Sequence, residues 1–290
     1  MSPSKVYFTD LRASVKENLL AKIVRLADRL DLKQVVPPRG LVAIKLHFGE
    51  RGNTAYIRPT FVRQIVDRVR ALGGFPFLTD ANTLYAGTRA DSVSHLHTAV
   101  ENGFSFSVVN APLIIADGLR GASYAAVKIQ QEVVKTAYIA KEIAEADSLI
   151  SLAHFKGHEL SGFGGTLKNL GMGCASRRGK MVQHADVSPK ITRKKCVGCG
   201  ECVEHCSQSA ITLQEEKAVI DAKKCIGCGE CILICSNKAI DVRWNADMAL
   251  FQKKLVEYAL AVVKGKKGKV AFLNFLTQIS PACDCYGHSD

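Results

Sequence analysis

Eight of the eleven cysteines lie in two runs of one pattern. The first is Cys196-Val-Gly-Cys199-Gly-Glu-Cys202-Val-Glu-His-Cys206; the second is Cys225-Ile-Gly-Cys228-Gly-Glu-Cys231-Ile-Leu-Ile-Cys235. Both read C-x2-C-x2-C-x3-C, 29 residues apart, and Lys194–Leu213 matches Lys223–Val242 at 12 of 20 positions, which marks an internal duplication. Thiolate is a soft metal ligand, and three thiolates two residues apart can wrap a tight loop around three corners of a [4Fe–4S] core. In this pattern the fourth cysteine serves the other cluster. The spacing therefore predicts one site of Cys196, Cys199, Cys202 and Cys235, and a second of Cys225, Cys228, Cys231 and Cys206. Gly198, Gly200, Gly227 and Gly229 would let the backbone close on each core and aim N–H groups at its sulfurs. The fourth cysteine is expected at the start of a helix, with Ser207 able to cap the turn of Ser207-Gln-Ser-Ala-Ile. Zinc is the alternative, since C-x2-C pairs also hold zinc. It does not account for four ligands at this spacing, twice.

The segment from Cys196 to Cys235 resembles a bacterial-type two-cluster ferredoxin. It departs from that family where Ser207 and Ser236 follow the fourth cysteines in place of the usual proline. The departure bears on loop rigidity and potential rather than on ligation. His205, between ligands, is expected to modulate a cluster rather than bind it.

These residues need a scaffold. At 290 residues about two domains are expected, and 47% apolar with 23% charged residues is ordinary globular composition. Leu41–His47 reads as a buried strand, Arg58–Leu72 as a helix with Phe61, Ile65, Val69 and Leu72 on one face, and Phe75–Thr79 as the next strand. Leu19, Ile23, Leu26 and Leu30 mark an earlier helix. Val108–Ala116 has strand-like length, Ala137–Ala146 reads as helix, and Leu149–Ala153 as strand. After the cysteines come a helix over Ala246–Lys264 and a strand over Val270–Phe275. The alternation predicts an α/β fold, with a mainly parallel sheet and flanking helices, over residues 1–187. Residues 245–290 are expected to return to it, leaving 188–244 as an inserted α+β ferredoxin-like domain.

In such sheets ligands gather beyond the carboxyl ends of the strands. Lys45 and His47 close one strand, Asp80 and Asn82 follow another, and His154, Lys156 and His158 follow a third. Next comes Gly162-Phe-Gly164-Gly165-Thr-Leu-Lys168-Asn169-Leu-Gly171-Met-Gly173-Cys174. Lys45, His47, Lys156, His158, Lys168 and Asn169 are thus candidates for binding an anionic substrate or cofactor. Tight turns with solvated lysines explain the same residues. Cys174, Cys283 and Cys285, with His288 or His158, invite a third metal site, or are simply reduced thiols.

With Lys168-Asn-Leu-Gly-Met-Gly-Cys174 before the cysteine runs and Cys283-Asp-Cys285 after them, most of the chain resembles an iron–sulfur family classed as a domain of unknown function. That resemblance implies an α/β domain coupled to electron transfer. It also implies that relatives continue beyond the Cys-x-Cys segment, so that a further carboxyl-terminal part would complete sheet and site.

The net charge is +12, and two oxidised clusters would bring it to about +8. Basic stretches occur at Arg177-Arg178-Gly-Lys180, Arg193-Lys194-Lys195 and Lys264–Lys269, for which a solvated face is the plain explanation. No aromatic residue interleaves them, which argues against nucleic acid; an acidic redox partner protein fits better. No apolar run approaches the ~20 residues of a membrane span, and the amino terminus lacks a secretory layout, so a soluble cytoplasmic protein is expected. The reading favoured by the sequence is an electron-transfer protein with two [4Fe–4S] clusters. The alternatives are a ferredoxin-fused oxidoreductase acting at the anion site, and a metal scaffold using the three remaining cysteines.

Overall fold

The computed structural model describes residues 4–184, 188–242, 247–281 and 283. Helix α1 (Leu19–Arg29) is capped by the Asn18 side chain, which accepts from Ala21 N, and leads through a short α2 (Leu32–Val35) to strand β1 (Leu41–Lys45). Helix α3 (Pro59–Ala71) buries Phe61, Val62, Ile65, Val66 and Val69, and β2 (Phe75–Asp80) follows. Helices α4 (Ser92–Glu101) and α5 (Phe106–Val109) precede β3 (Leu113–Ile115). The apolar run from Val108 is therefore not one strand. Asn110 adopts a left-handed conformation (φ 58°) that ends α5, and Pro112 then separates it from β3.

Strands β4 (Tyr124–Lys128) and β5 (Thr136–Ala140) form an antiparallel hairpin, and a short helix α6 (Lys141–Glu145) leads to β6 (Ser148–His154). The single helix expected over Ala137–Ala146 is replaced by strand and helix. Ala137 and Ile139 pair with Val127 and Ala125 and are buried, while Tyr138 faces the other way, so tertiary pairing outweighs helix propensity there. Beyond β6 come the hairpin β7 (Lys156–His158) and β8 (Gly162–Gly164), then helices α7 (Thr166–Gly171) and α8 (Arg177–His184).

The next segment is built of small pieces. Strand β9 (Lys190–Ile191), helix α9 (Glu201–Glu204), strands β10 (Ile211–Gln214) and β11 (Lys217–Ile220), helix α10 (Glu230–Ile234) and strand β12 (Ile240–Asp241) follow in order. β9 pairs antiparallel with β12, and β10 with β11. The chain then runs through α11 (Met248–Gly265) to β13 (Val270–Phe275).

The main sheet has the order β13-β6-β1-β2-β3, and all its pairs are parallel. Strands β6 and β13 are neighbours although the cysteine segment lies between them in sequence. Side chains alternate across the sheet. Val42, Ile44, Leu78 and Ile150 face one core with α1 and α3; Ala43, Phe77 and Leu149 face a second, with Ile139, Leu170 and Tyr258. Helices thus cover both faces, as a parallel sheet requires. A third core gathers Ile211, Ile232, Ile240 and Val242 around Cys196 and Cys202, and takes in Leu84 and Met181 from the sheet side. Among the described residues no helix is long and apolar enough to cross a membrane.

Candidate metal centres

Each cysteine loop turns into its short helix through a left-handed glycine: Gly200 (φ 84°) before α9 and Gly229 (φ 73°) before α10. Gly198 and Gly227 are also at positive φ. A Cβ on Gly198 would stand 2.3 Å from the Glu216 carbonyl oxygen, so this loop presses on the β10–β11 turn and admits no side chain. The helices begin before the third cysteine rather than at the fourth. Cys206 and Cys235 lie at the ends of α9 and α10, and a turn, not a Ser207-capped helix, follows Cys206. The cause is local. Ala210 N donates to Cys206 Sγ and Ala239 N to Cys235 Sγ, both at 3.2 Å, and these bonds fold the chain back where a helix would carry it away. Ala218 N donates to Cys196 Sγ at 3.4 Å.

Two cavities lie between these elements. One is lined by Cys196, Cys199, Cys202 and Cys235. The other is lined by Cys206, Cys225, Cys228 and Cys231, with His205 also on its wall. Each cavity thus takes three thiols from one run and the fourth from the other. Burial raises the Cys202 thiol, and Cys196, Cys199 and Cys235 raise it further; Cys231 is raised by burial and then by Cys228 and Cys225. Four thiolates at either cavity would repel one another unless positive charge sat among them. Among the described residues no three His, Cys, Asp or Glu side chains draw together as a single metal ion requires.

The two centres differ in surroundings. Cys199 and its neighbour Val197 (63% exposed) face outward. The Cys225-led loop abuts the main sheet. Glu230 pairs with Arg120 (2.9 Å) and approaches Arg177 (3.7 Å), and a Cβ on Gly229 would stand 3.0 Å from Arg177 Cδ. Arg177 is fully buried and donates to the carbonyls of Thr83, Arg120 and Ala90.

The strand ends behind Arg177 carry a buried polar network. Lys45 Nζ meets Asp80 Oδ1 at 2.9 Å and donates to Asn169 Oδ1 at 2.8 Å. Asn169 Nδ2 donates to Ser151 Oγ (2.9 Å) and to the Lys45 carbonyl (3.1 Å). Burial would raise the Asp80 carboxyl, but Lys45, His95, His47 and Arg89 outweigh it and hold Asp80 well below the usual carboxylate range. Arg89 also pairs with Glu50 at 3.0 Å. Burial lowers His95 to about 3 despite Asp80, so the ring is neutral near pH 7. Asn82 donates to Asp117 Oδ1 from its backbone (2.9 Å) and side chain (3.0 Å).

Of the six residues assigned to an anion, Lys45 and Asn169 come together as partners of each other. Lys156 and Lys168 flank Gly164, where a Cβ would stand 3.0 and 3.2 Å from their side-chain carbons. Lys168 Nζ donates to Cys283 Sγ at 2.7 Å. His158 accepts from Leu160 N and Ser161 N at 3.1 Å and stacks on Phe251, and His47 accepts from Gly49 N at 2.8 Å. His154 bonds the Thr277 carbonyl at 2.6 Å. Cys174 is fully buried, its thiol faces the Asn169 carbonyl, and burial pushes it up to about 11. It sits in the second core, while Cys283 faces Lys168; Cys285 and His288 lie outside the described residues.

The basic stretches need correction. Arg177 and Lys180 are buried, and Arg178 lies over the Tyr138 ring at 3.9 Å. Lys266 is buried too, its Nζ donating to the carbonyls of Ile143, Ala144 and Ala146 at the end of α6. Asp117 and Glu230 were not singled out by sequence, and Arg177 and Lys180 were read only as part of a solvated basic stretch. The i,i+3 spacing of Arg177 and Lys180 on α8, next to Gly179, was the available signal for a buried face.

The profile of one protein family, described as a domain of unknown function (DUF362), matches residues 42–290. No curated protein matches the chain. Among solved structures, the lactate racemase apoprotein from Thermoanaerobacterium thermosaccharolyticum aligns at 16% identity and a TM-score of 0.41, over 75% of this chain and 46% of its own. The chain therefore spans less than half the length of that protein.

Proposed function

The chain belongs to the DUF362 family, and from that premise we propose that it is an electron-transfer protein whose residues 188–242 form a two-cluster ferredoxin-like domain. The observation that carries this reading is the crossed lining of the two cavities, three cysteines from one run and the fourth from the other. Four thiols at this spacing, supplied twice, suit a polynuclear core better than zinc. The chemistry supplied by [4Fe–4S] groups would be one-electron uptake and release. The protein's part is to hold the eight thiolates and to offset negative charge on their sulfurs. The N–H groups of Ala210, Ala218 and Ala239 do this at Cys206, Cys196 and Cys235.

Cys199 and Val197 would form the outward port of the Cys196-led centre. Lys194 and Lys195, exposed beside it, suit an acidic redox partner protein. The basic face is smaller than the net charge suggests, because Arg177, Lys180 and Lys266 are spent inside the fold. The oxidoreductase alternative rests on Lys45, His47, Lys156, His158, Lys168 and Asn169; Lys45 and Asn169 are already engaged with each other and with Asp80 and Ser151.

Anaerobically purified protein is expected to hold about eight iron and eight sulfide atoms per chain, as two such clusters require. After dithionite reduction its EPR spectrum should show two interacting centres. About half that iron, or stoichiometric zinc, would overturn the assignment.

A further inference from the structure

Asp117 is fully buried and follows β3 by two residues. Its Oδ1 accepts from the backbone N–H and the side-chain amide of Asn82, while Oδ2, among the described residues, has no hydrogen-bond partner. A Cβ on Gly121 would stand 3.0 Å from the Arg177 guanidinium carbon and 3.1 Å from Asp117 Oδ2, so those two atoms lie within 6.1 Å of each other. At its other end the same guanidinium reaches Glu230, between Cys228 and Cys231. One buried cation therefore spans from an unpartnered carboxylate oxygen to the wall of a candidate redox centre.

We propose that electron uptake at the Cys225-led centre is coupled to proton uptake at Asp117. This rests on the cluster reading above. The balance is simple: one electron passes from an external reductant to the centre, one proton passes from solvent water to Oδ2, an O–H bond forms, and the buried region keeps its net charge. Reduction adds a negative charge that Arg177 shares with Asp117, so the carboxylate holds its proton more tightly. By reciprocity, protonation of Asp117 favours reduction to the same extent. The groups facing Asp117 are Arg177 and Lys180 from α8 and Asn82 beyond β2; Glu230 and Asp91 face Arg177 instead. Burial pushes Asp117 up to about 6 although Lys180 and Arg177 pull the other way. The oxygen is thus poised to change state near neutral pH.

The test is the reduction potential of the intact holoprotein against pH. Below about pH 6 Asp117 is protonated in both redox states and the potential is flat. Above it, one of the two reduction steps should fall by up to about 59 mV for each tenfold drop in proton activity. The step at the Cys196-led centre should stay flat. Asp117→Asn should leave both steps flat while keeping full iron content. Redox-difference infrared spectra should show a carboxylic acid band on reduction that this variant lacks. PH-independent potentials in a wild-type protein with full iron would overturn the proposal, as would an unchanged slope or an unchanged band in the variant. Lack of iron in the wild type would instead sink the cluster reading.

Discussion

Replacing Cys206 with alanine is expected to empty the centre whose other three ligands begin 19 residues downstream, at Cys225. The nearer trio, Cys196, Cys199 and Cys202, should keep its centre, because its fourth thiol comes from Cys235. Iron content should fall to about half, and the interaction between centres should vanish from the EPR spectrum of the reduced protein. Matching variants identify which centre survives. Cys206→Ala and Cys225→Ala should leave one and the same residual spectrum; Cys235→Ala and Cys196→Ala should share another. The loss should be near complete unless His205, which also lines this cavity, takes the place of the missing thiol; a Cys206→Ala, His205→Ala double variant removes that substitute. If Cys206→Ala instead shares its spectrum with Cys196→Ala, ligation follows sequence order and the crossed arrangement is wrong.

That prediction could be framed from sequence because ligand spacing is a local property. Glycines at 198, 200, 227 and 229 are at positive φ, as the spacing demanded, and the duplication carries through to paired details. Ala210 and Ala239, 29 residues apart, each donate to the sulfur of a fourth cysteine. What spacing could not supply was the direction of the chain after that cysteine. The Ser207 turn looked like a cap, but the sulfur takes the N–H group that a helix would have used elsewhere.

In the sheet, β1, α3, β2 and β6 were legible because each buries an apolar stretch or stripe, and β13 because its residues run apolar, although only Ala271 among them is buried. β5 was not, because Ala137–Ala146 is rich in helix formers and only its pairing with β4 reveals the strand. The buried charges were the least legible. Arg177, Arg178 and Lys180 form a basic run in one dimension; in three, Arg177 joins α8 to the carbonyls of Thr83, Ala90 and Arg120 and to Glu230. Its partners come from separate segments, so no local pattern announces them. Lys45 is the same case: a strand-end lysine suggests a ligand, yet its charge is already matched.

Lys45→Met tests that match, and its expected effect is large. Lys45 and Asp80 are nearly fully buried, so removing the cation leaves a carboxylate in a low-dielectric site and deprives Asn169 of a donor. Breaking a buried pair in this way typically costs about 3–5 kcal/mol. Native-state hydrogen exchange of the β1 and β2 amides in the holoprotein reads it directly, as a loss of protection of roughly a hundredfold or more. The sign of the pH dependence should also change. In the wild type Asp80 is held below its unfolded value, so it contributes stability that is present above the unfolded pKa and lost as pH falls through the folded one. Without Lys45, the burial that already opposes ionisation gains weight. If burial comes to outweigh the remaining pull of His95, His47 and Arg89, the folded pKa rises above the unfolded value and stability falls as pH rises between the two. Adding Asp80→Asn to Lys45→Met should recover part of the loss, since a neutral amide carries no buried charge. A single variant with wild-type protection, or a double variant no better than the single, would mean that Lys45 is not committed to Asp80 and remains available to a ligand.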